Sequence, residues 1–533
     1  MYSGGAVGKP LLCRPVTSNG TYSFRPRSQR MKLLQFVGFG RNPSFRGIDG
    51  KLPSTFGILT FASILSACTV GPDYVQPTAP TSAAFKERKG WHLATPKDTF
   101  DRGAWWRIFK DPTLNELMPQ VDISNQNVIA AAGAYQQAVA LIREAQAALF
   151  PIVTDSYNVT GTHQGAHVSG TGFSVTGVTF NPIANATWDL DVWGRIRRTV
   201  EADAAGAQVS AADLANAKLS AQAALATAYF NLRATDSAKI LFDRTAKDYQ
   251  RTLEITENQY NSGTVSKGDV ATARALLQTV QAQSIGTDVA RAQFEHAIAV
   301  LIGRPPSELS IKRGALAGWI PTIPIMVPSA LLERRPDIAA SERLLQENNA
   351  LIGAAVANFY PDISLSGSFG FIGPHALPIA AANEVWTLAG SATQTIFDGG
   401  LRSAELEAAK ATYLQSVANY RQTVLTAFQQ VEDELAAGRI LAVELKKQEE
   451  AVVSAREAVK VDLNQYQIGT VVFTVVVTAE AIQLSDEETA LSIRQSQFLA
   501  AVALIEALGG GWDKSELPSL NSLSTLPTLT PPL

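Results

Sequence analysis

The stretch Gln259-Tyr260-Asn261-Ser262-Gly263-Thr264-Val265 returns 206 positions later as Gln465-Tyr466-Gln467-Ile468-Gly469-Thr470-Val471. Each copy closes a long run without proline, 195–260 and 401–466, and each run holds a single glycine. Such runs read as very long helices, on the order of 100 Å at about 1.5 Å per residue. Alanine dominates the positions that would face a neighbour, as in Ala451, Ala455, Ala458, Val459, Asp462 and Leu463, and so permits close helix approach. A Gly-Thr-Val turn follows each run, and a returning helix is expected over 267–302 and 474–508. Each half therefore makes a long helical hairpin, 195–303 and 401–508. A compact bundle has no use for helices much longer than a domain diameter.

Working outward, the two copies align without a gap from Ala186 to Gly303 at the offset of 206, and upstream at 210, so that Phe150-Pro151 falls on Tyr360-Pro361. A period near 200 residues means two large pseudo-symmetric halves, 113–310 and 325–512, rather than a solenoid. Each half opens with a helical run, about 124–149 or 337–358, stopped by the proline. Strand alternation follows. Ile363, Leu365, Gly367, Phe369 and Phe371 alternate with Ser364, Ser366, Ser368 and Gly370, and Trp188, Leu190 and Val192 alternate with Asp189 and Asp191. Reversals near 161–172 and 373–383 fold each half into a β-hairpin, about 152–192 and 362–397. Four strands per chain result.

The 533 residues carry a net charge of −3, but residues 1–67 hold nine Lys/Arg and one Asp, leaving 36 basic against 47 acidic residues in 68–533. That balance argues against nucleic acid as a partner. Basic residues up to Lys51 precede the apolar run Phe56-Gly57-Ile58-Leu59-Thr60-Phe61-Ala62-Ser63-Ile64-Leu65-Ser66-Ala67, the order of a secretory signal covering 1–67. The run is too short to span a bilayer as a helix. A leader normally occupies about 15–30 residues, so a translation start at Met31 or later is the expectation. Leu65-Ser66-Ala67-Cys68 looks like a bacterial lipobox, in which Cys68 takes a diacylglycerol and an N-acyl chain and becomes the first mature residue. Thr69 after it, rather than Asp, resembles outer-membrane sorting. Beyond it lies a lipidated segment, 68–112, and at the other end a Pro/Ser/Thr/Leu-rich flexible tail, 513–533.

Hairpins with an apolar face on an exported, lipidated chain read as membrane-spanning β. Four strands leave open edges whose backbone groups lipid cannot satisfy. The chain must therefore oligomerise: two copies would give a filled eight-stranded barrel, three a twelve-stranded one with a wider lumen, and a conduit favours three.

The same residues resemble the TolC-like outer-membrane efflux proteins, in particular the NodT/OprM-type lipoproteins of resistance-nodulation-division pumps. The matching pieces are Cys68-Thr69-Val70-Gly71-Pro72-Asp73-Tyr74-Val75-Gln76-Pro77, Trp105-Trp106 with Phe109-Lys110-Asp111-Pro112 and Leu114, Leu331-Leu332-Glu333-Arg334-Arg335-Pro336-Asp337-Ile338, the two Tyr-x-x-Gly-Thr turns, and Ala507-Leu508-Gly509-Gly510-Gly511-Trp512. The resemblance implies an α+β membrane protein, a homotrimer whose twelve-stranded transmembrane barrel continues into an α-helical periplasmic barrel. It also implies an exit duct in the outer membrane of a Gram-negative bacterium, partnered by a periplasmic membrane-fusion adaptor and an inner-membrane pump. There is no P-loop, so driving energy comes from the partner. The alternative is a non-conducting periplasmic coiled-coil adaptor, but its lipoyl-like modules are missing from the sequence. An enzyme is the poorest reading.

Carried over residue by residue, the resemblance puts the periplasmic tip and adaptor contact at Gly263, Thr264, Val265, Gly469, Thr470 and Val471. The tunnel aperture falls at Asp269, Val475 and Thr478. Where the family has a basic residue two places after the second glycine and carboxylates six or nine after it, this chain has Val471, Val475 and Thr478. Closure by apolar packing of Val471, Phe473, Val475 and Val477 is the expectation, with Asp269 either an aperture acid or a helix-start carboxylate. Trp188, Trp193, Trp386 and Phe397 are candidates for an interfacial aromatic girdle. Asp189 and Asp191 read as lumen-facing charges, not a glycosidase pair. His163, His167 and His375 read as solvated loop residues, since their flanks do not form a helix and no carboxylate lies beside them, so neither metal nor other cofactor is expected.

Overall fold

A computed structural model of the chain describes residues 69–89, 91, 103–170, 172–323 and 328–524. All lie in one unit, Ser63–Leu533; the other, Met1–Ala62, falls outside the described residues together with Cys68, the leader, and 525–533. After a 3-10 turn, Trp105–Phe109, the first half runs α1 (Pro112–Ser124), α2 (Gln126–Ala147), β1 (Ile152–Gln164), β2 (Val175–Leu190), α3 (Arg195–Asn261) and α4 (Lys267–Leu301). The second half runs α5 (Pro336–Ala357), β3 (Asp362–Phe371), β4 (Glu384–Thr393), α6 (Leu401–Gln467) and α7 (Phe473–Ala507), and a short α8 (Leu520–Ser524) ends the described chain. α3 and α6 are both 67 residues long, and α4 and α7 both 35, each pair starting 206 positions apart.

The strands form one antiparallel sheet in the order β1-β2-β3-β4. Ile152 lies opposite Thr187 and Gln164 opposite Val175; Leu190 lies opposite Ile363; Asp362 lies opposite Thr393. The two halves meet at the β2–β3 seam, and β1 and β4 are left as unpaired edges with almost every side chain exposed. The first hairpin is the longer, because β1 runs three residues past Gly161, where the sequence suggested a reversal had begun.

Sheet and helices join by the same device in both halves. Trp188 donates its indole N–H to the Leu149 carbonyl at 2.9 Å, and Gln394, at the equivalent position, donates to Phe359 at 3.1 Å. A carboxylate then caps each long helix, whose first N–H groups have no partner within it. Asp191 accepts from the backbone of Ile196 and Arg197 and pairs with the Arg197 guanidinium at 3.1 Å; Asp398 accepts from Gly400 and pairs with Arg402 at 2.6 Å. Asp191 is thus a buried helix cap, not a lumen-facing charge.

The main core sits midway down the helices. Trp105, Trp106, Phe109, Leu114 and Met118 close over Tyr229 and Phe230 of α3 and Phe498 of α7. The Phe-Lys-Asp-Pro motif is explained there: Lys110 takes a left-handed φ of 52°, Asp111 caps α1 through the Leu114 N–H and accepts from the Tyr229 hydroxyl at 2.7 Å, and Pro112 begins the helix. Each half ends on a glycine pressed against a carbonyl. A Cβ on Gly303 would lie 2.1 Å from the Ser124 oxygen, and one on Gly509 1.9 Å from that of Arg334.

Both ends of the described chain are docked. Residues 69–89 and 91 belong to an extended strap: Val70 donates to the Trp193 carbonyl, Asn349 to that of Pro72, the Lys86 and Glu87 amides to the Glu432 carboxylate, and Trp91 to Leu435. Glu432 lies roughly 46 Å along α6. The C-terminal segment 513–524, expected to be flexible, instead packs back. Leu517 sits with Trp512 against Ala212 and Ala339, and Leu520 and Leu523 cover Ile142, Val200 and Ala204. Three leucines spaced by three give it an apolar side that composition alone conceals. Glu342, buried on α5, holds both ends, accepting from the Tyr74 hydroxyl at 2.8 Å and pairing with Lys514 at 3.1 Å.

Candidate functional site

The two helical hairpins end side by side at one tip. At the first turn Gly263 takes φ +77°, its N–H reaches the Tyr260 carbonyl at 2.9 Å, and both the N–H and the hydroxyl of Thr264 reach the Gln259 carbonyl, at 3.0 and 2.8 Å. At the second, Gly469 takes φ +77°, and Thr470 reaches the Gln465 carbonyl from its N–H and its hydroxyl, both at 2.9 Å. These are Schellman helix ends, which need glycine at the left-handed position; the threonine adds a second donor to an otherwise orphaned carbonyl. No atom lies within 4 Å of a Cβ placed on either glycine, so both turns face open space.

After identical turns the halves diverge. Ser266 and Asp269 form a capping box at the start of α4: the Ser266 hydroxyl accepts from the Asp269 N–H, and the Asp269 carboxylate accepts from the Ser266 N–H and hydroxyl. The Asp269 carboxylate is thereby occupied as a cap. α7 has Val472 at its N-cap and no side-chain cap.

The tips are joined through a small core of Tyr249, Leu253, Leu277, Val280, Tyr466, Phe473 and Val476. Phe473 is 4% exposed, with its ring 5.4 Å from that of Tyr466. It therefore belongs to the interior of its own chain and is unavailable for closing an aperture between chains. Val475, by contrast, is 38% exposed, and Ile468, Val472 and Thr478 also face outward; Val471 and Val477 are half-buried. Polar bonds cross between the hairpins: Gln259 to the Tyr466 carbonyl at 2.9 Å, Tyr466 hydroxyl to Thr256 at 3.3 Å, and Thr252 hydroxyl to Glu480 at 2.6 Å. Residues including Gly263, Val265, Asp269, Ile468, Thr470 and Val471 line a cleft of about 810 Å³ between the turns.

The four aromatic candidates divide in two. Trp386, 70% exposed on β4, and Phe397, 88% exposed just beyond it, project from the protein. Trp188 is tied to Leu149 by its indole, and Trp193 stacks on Tyr360 at 4.8 Å and donates to the Pro361 carbonyl, so these two fix the sheet to the helices. His163 lies on β1 rather than in a loop, with Nδ1 2.6 Å from the Thr176 hydroxyl across the ladder. His167 and His375 lie in the two reversals, and no group of three or more His, Cys, Asp or Glu side chains among the described residues could hold a metal ion.

Two buried glutamates of α7 have no counterpart in the sequence reading. Glu487 bridges Arg244 of α3 and Arg456 of α6. Glu480, one heptad nearer the tip, bonds to the Thr252 hydroxyl and pairs with no cation among the described residues. Their spacing of seven, which puts both on one face of α7, is the signal that would have found them.

No helix among the described residues is long and apolar enough to cross a membrane. Comparison with known proteins agrees with the geometry. The toluene efflux pump outer membrane protein TtgC of Pseudomonas putida is 29% identical over 463 residues, covering 86% of this chain and 96% of the relative. The cation efflux system protein CusC of Escherichia coli is 26% identical over 458 residues, covering 85% and 98%. The solved outer-membrane channel OprN superposes with a TM-score of 0.77 at 30% identity, covering 84% of this chain and all of that one. The profile described as "Outer membrane efflux protein" matches residues 117–304 and 327–510, and with two hairpin repeats, a four-stranded sheet and a paired tip in place, the chain belongs to the outer membrane efflux protein family.

Proposed function

We propose that three copies of this outer-membrane protein close into one passive exit duct of a tripartite efflux system. The observation that carries this reading is the four-stranded sheet with both outer strands unpaired. An edge strand of 10 residues such as β4 presents about ten outward backbone N–H and C=O groups, and each costs several kcal/mol if left unsatisfied in lipid. Pairing β4 of one copy with β1 of the next removes that cost, and three copies give twelve strands with room for a lumen. The helical hairpins then reach into the periplasm, where the adaptor of a resistance-nodulation-division pump engages the turns at Gly263–Val265 and Gly469–Val471. Closure of the resting aperture rests on outward apolar residues such as Val475, not on an ion lock.

Cys68 is the lipid attachment point in this reading. Its neighbour Thr69 packs on Gly194, where sheet gives way to helix, so an acyl chain on Cys68 enters the leaflet at barrel level. Toluene and cations, the cargoes for which TtgC and CusC are named, differ greatly in chemistry, so cargo choice is assigned to the pump rather than the duct. Outer-membrane fractions should yield a heat-modifiable species three chains in mass that forms discrete channels in planar bilayers. A monomer that gives no conductance would overturn the reading.

A further inference from the structure

We propose that Glu480 is a proton-operated catch between the two helical hairpins, its protonated carboxyl seating α7 against α3 and its ionised form releasing the α6–α7 tip. The inference deepens the duct reading by giving the tip a regulator, and it rests on that reading for its functional consequence. Glu480 is 5% exposed, with one oxygen bonded by the Thr252 hydroxyl of α3 and the other, buried, without any hydrogen-bond partner. A carboxylate in that position would be an uncompensated buried charge, which is among the costliest arrangements in a protein interior.

Glu487 is the internal control. Seven residues further along the same helix and equally buried, it pairs with both Arg244 and Arg456. Glu480 is offered nothing of the kind. From α3 it faces Thr252, with Asp248 and Tyr249 one turn away; Asp248 repels it. α4 adds Ala273, Leu277 and Val280 to this core, with Val270 and Leu276 packed against it, and its Arg274 is paired outward with Glu257. α6 contributes Asp462 in the groove beside Ala479, exposed Lys460, and Arg456, already bound to Glu487. On α7 itself the next acids are Asp486, Glu487 and Glu488.

Burial, first, pushes the Glu480 carboxyl up to about 7; the Asp248 charge adds to this and the Thr252 bond opposes it. The sign follows from linkage: seating contributes fully below the ordinary glutamate value near 4.5 and is lost as pH rises through about 7. Acidification therefore tightens the tip and alkalinity loosens it.

The test uses the full chain in lipid, with spin labels on Lys247→Cys of α3 and Ser485→Cys of α7, both exposed, read by pulsed dipolar spectroscopy between about pH 5 and pH 9. The expected result is one short distance at the acidic end and a second, longer one appearing with a midpoint near 7. Glu480→Gln, neutral at every pH, should keep the short distance throughout. Thr252→Val, which removes the bond favouring the ionised form, should move the midpoint upward. A distance that does not change with pH, or Glu480→Gln tracking the wild type, would overturn the catch. Conductance measured on the same samples separates the two readings, because absent channels would count against the duct while the distances still decide the catch.

Discussion

Replacing Phe473 with alanine separates the interior of the tip from its outer face. The ring is 4% exposed among Tyr249, Leu253, Leu277, Val280 and Tyr466. Losing it costs roughly 3–5 kcal/mol, of which about 0.5–1.5 is the aromatic pairing with Tyr466. The nearby turns face open space, so the loss falls on local opening of the tip rather than on the distant main core. At about 1.4 kcal/mol per factor of ten, amide exchange in 463–480 should accelerate at least about 100-fold. Val475→Ala is the paired control: 38% exposed, it should change exchange by no more than the roughly 0.5 kcal/mol typical of surface sites, yet alter the resting conductance. Hydrogen exchange by mass spectrometry on both variants is the assay. Unchanged protection in Phe473→Ala, or equal loosening in Val475→Ala, would refute the assignment of these two side chains to opposite sides.

Glu342→Gln should free the strap and the 513–524 segment together, because one carboxylate accepts from Tyr74 and pairs with Lys514; about 1.5–3 kcal/mol is lost, and limited proteolysis should nick 72–89 and 513–524 in parallel. Gly509→Ala places a Cβ 1.9 Å from the Arg334 carbonyl at a φ of 91°, so α7 cannot dock and assembled protein should fall sharply on native gels. Cys68→Ser should abolish fatty-acid labelling, while far-UV circular dichroism of the exported chain stays unchanged.

The repeat made the architecture legible. Long runs without proline, each closed by a Gly-Thr pair, mark both ends of α3 and α6, and the offset of 206 carries over residue for residue into the starts of α4 and α7. Phe473 was illegible for a physical reason. The first turn of α7 reads Phe-Thr-Val-Val-Val, apolar nearly all round, so periodicity cannot say that 473 and 476 turn inward while 472 and 475 turn outward. Asp191 was misread because strand alternation was carried past Leu190, where the chain has already turned to cap a helix. The strap has no period at all; its partners include the Glu432 carboxylate and the Asn349 amide, hundreds of positions away, which no local pattern records.

The matched element lengths act as a shared ruler. Excising one heptad from α6 and one from α7 would shorten the second hairpin by about 10.5 Å while leaving the first untouched. Tyr466 and Phe473 would then sit two turns short of Tyr249 and Leu253, and the turns at Gly263 and Gly469 would no longer lie level. A change of reach is tolerated only when both halves are cut alike, so lineages that lengthen or shorten the tube must edit it twice.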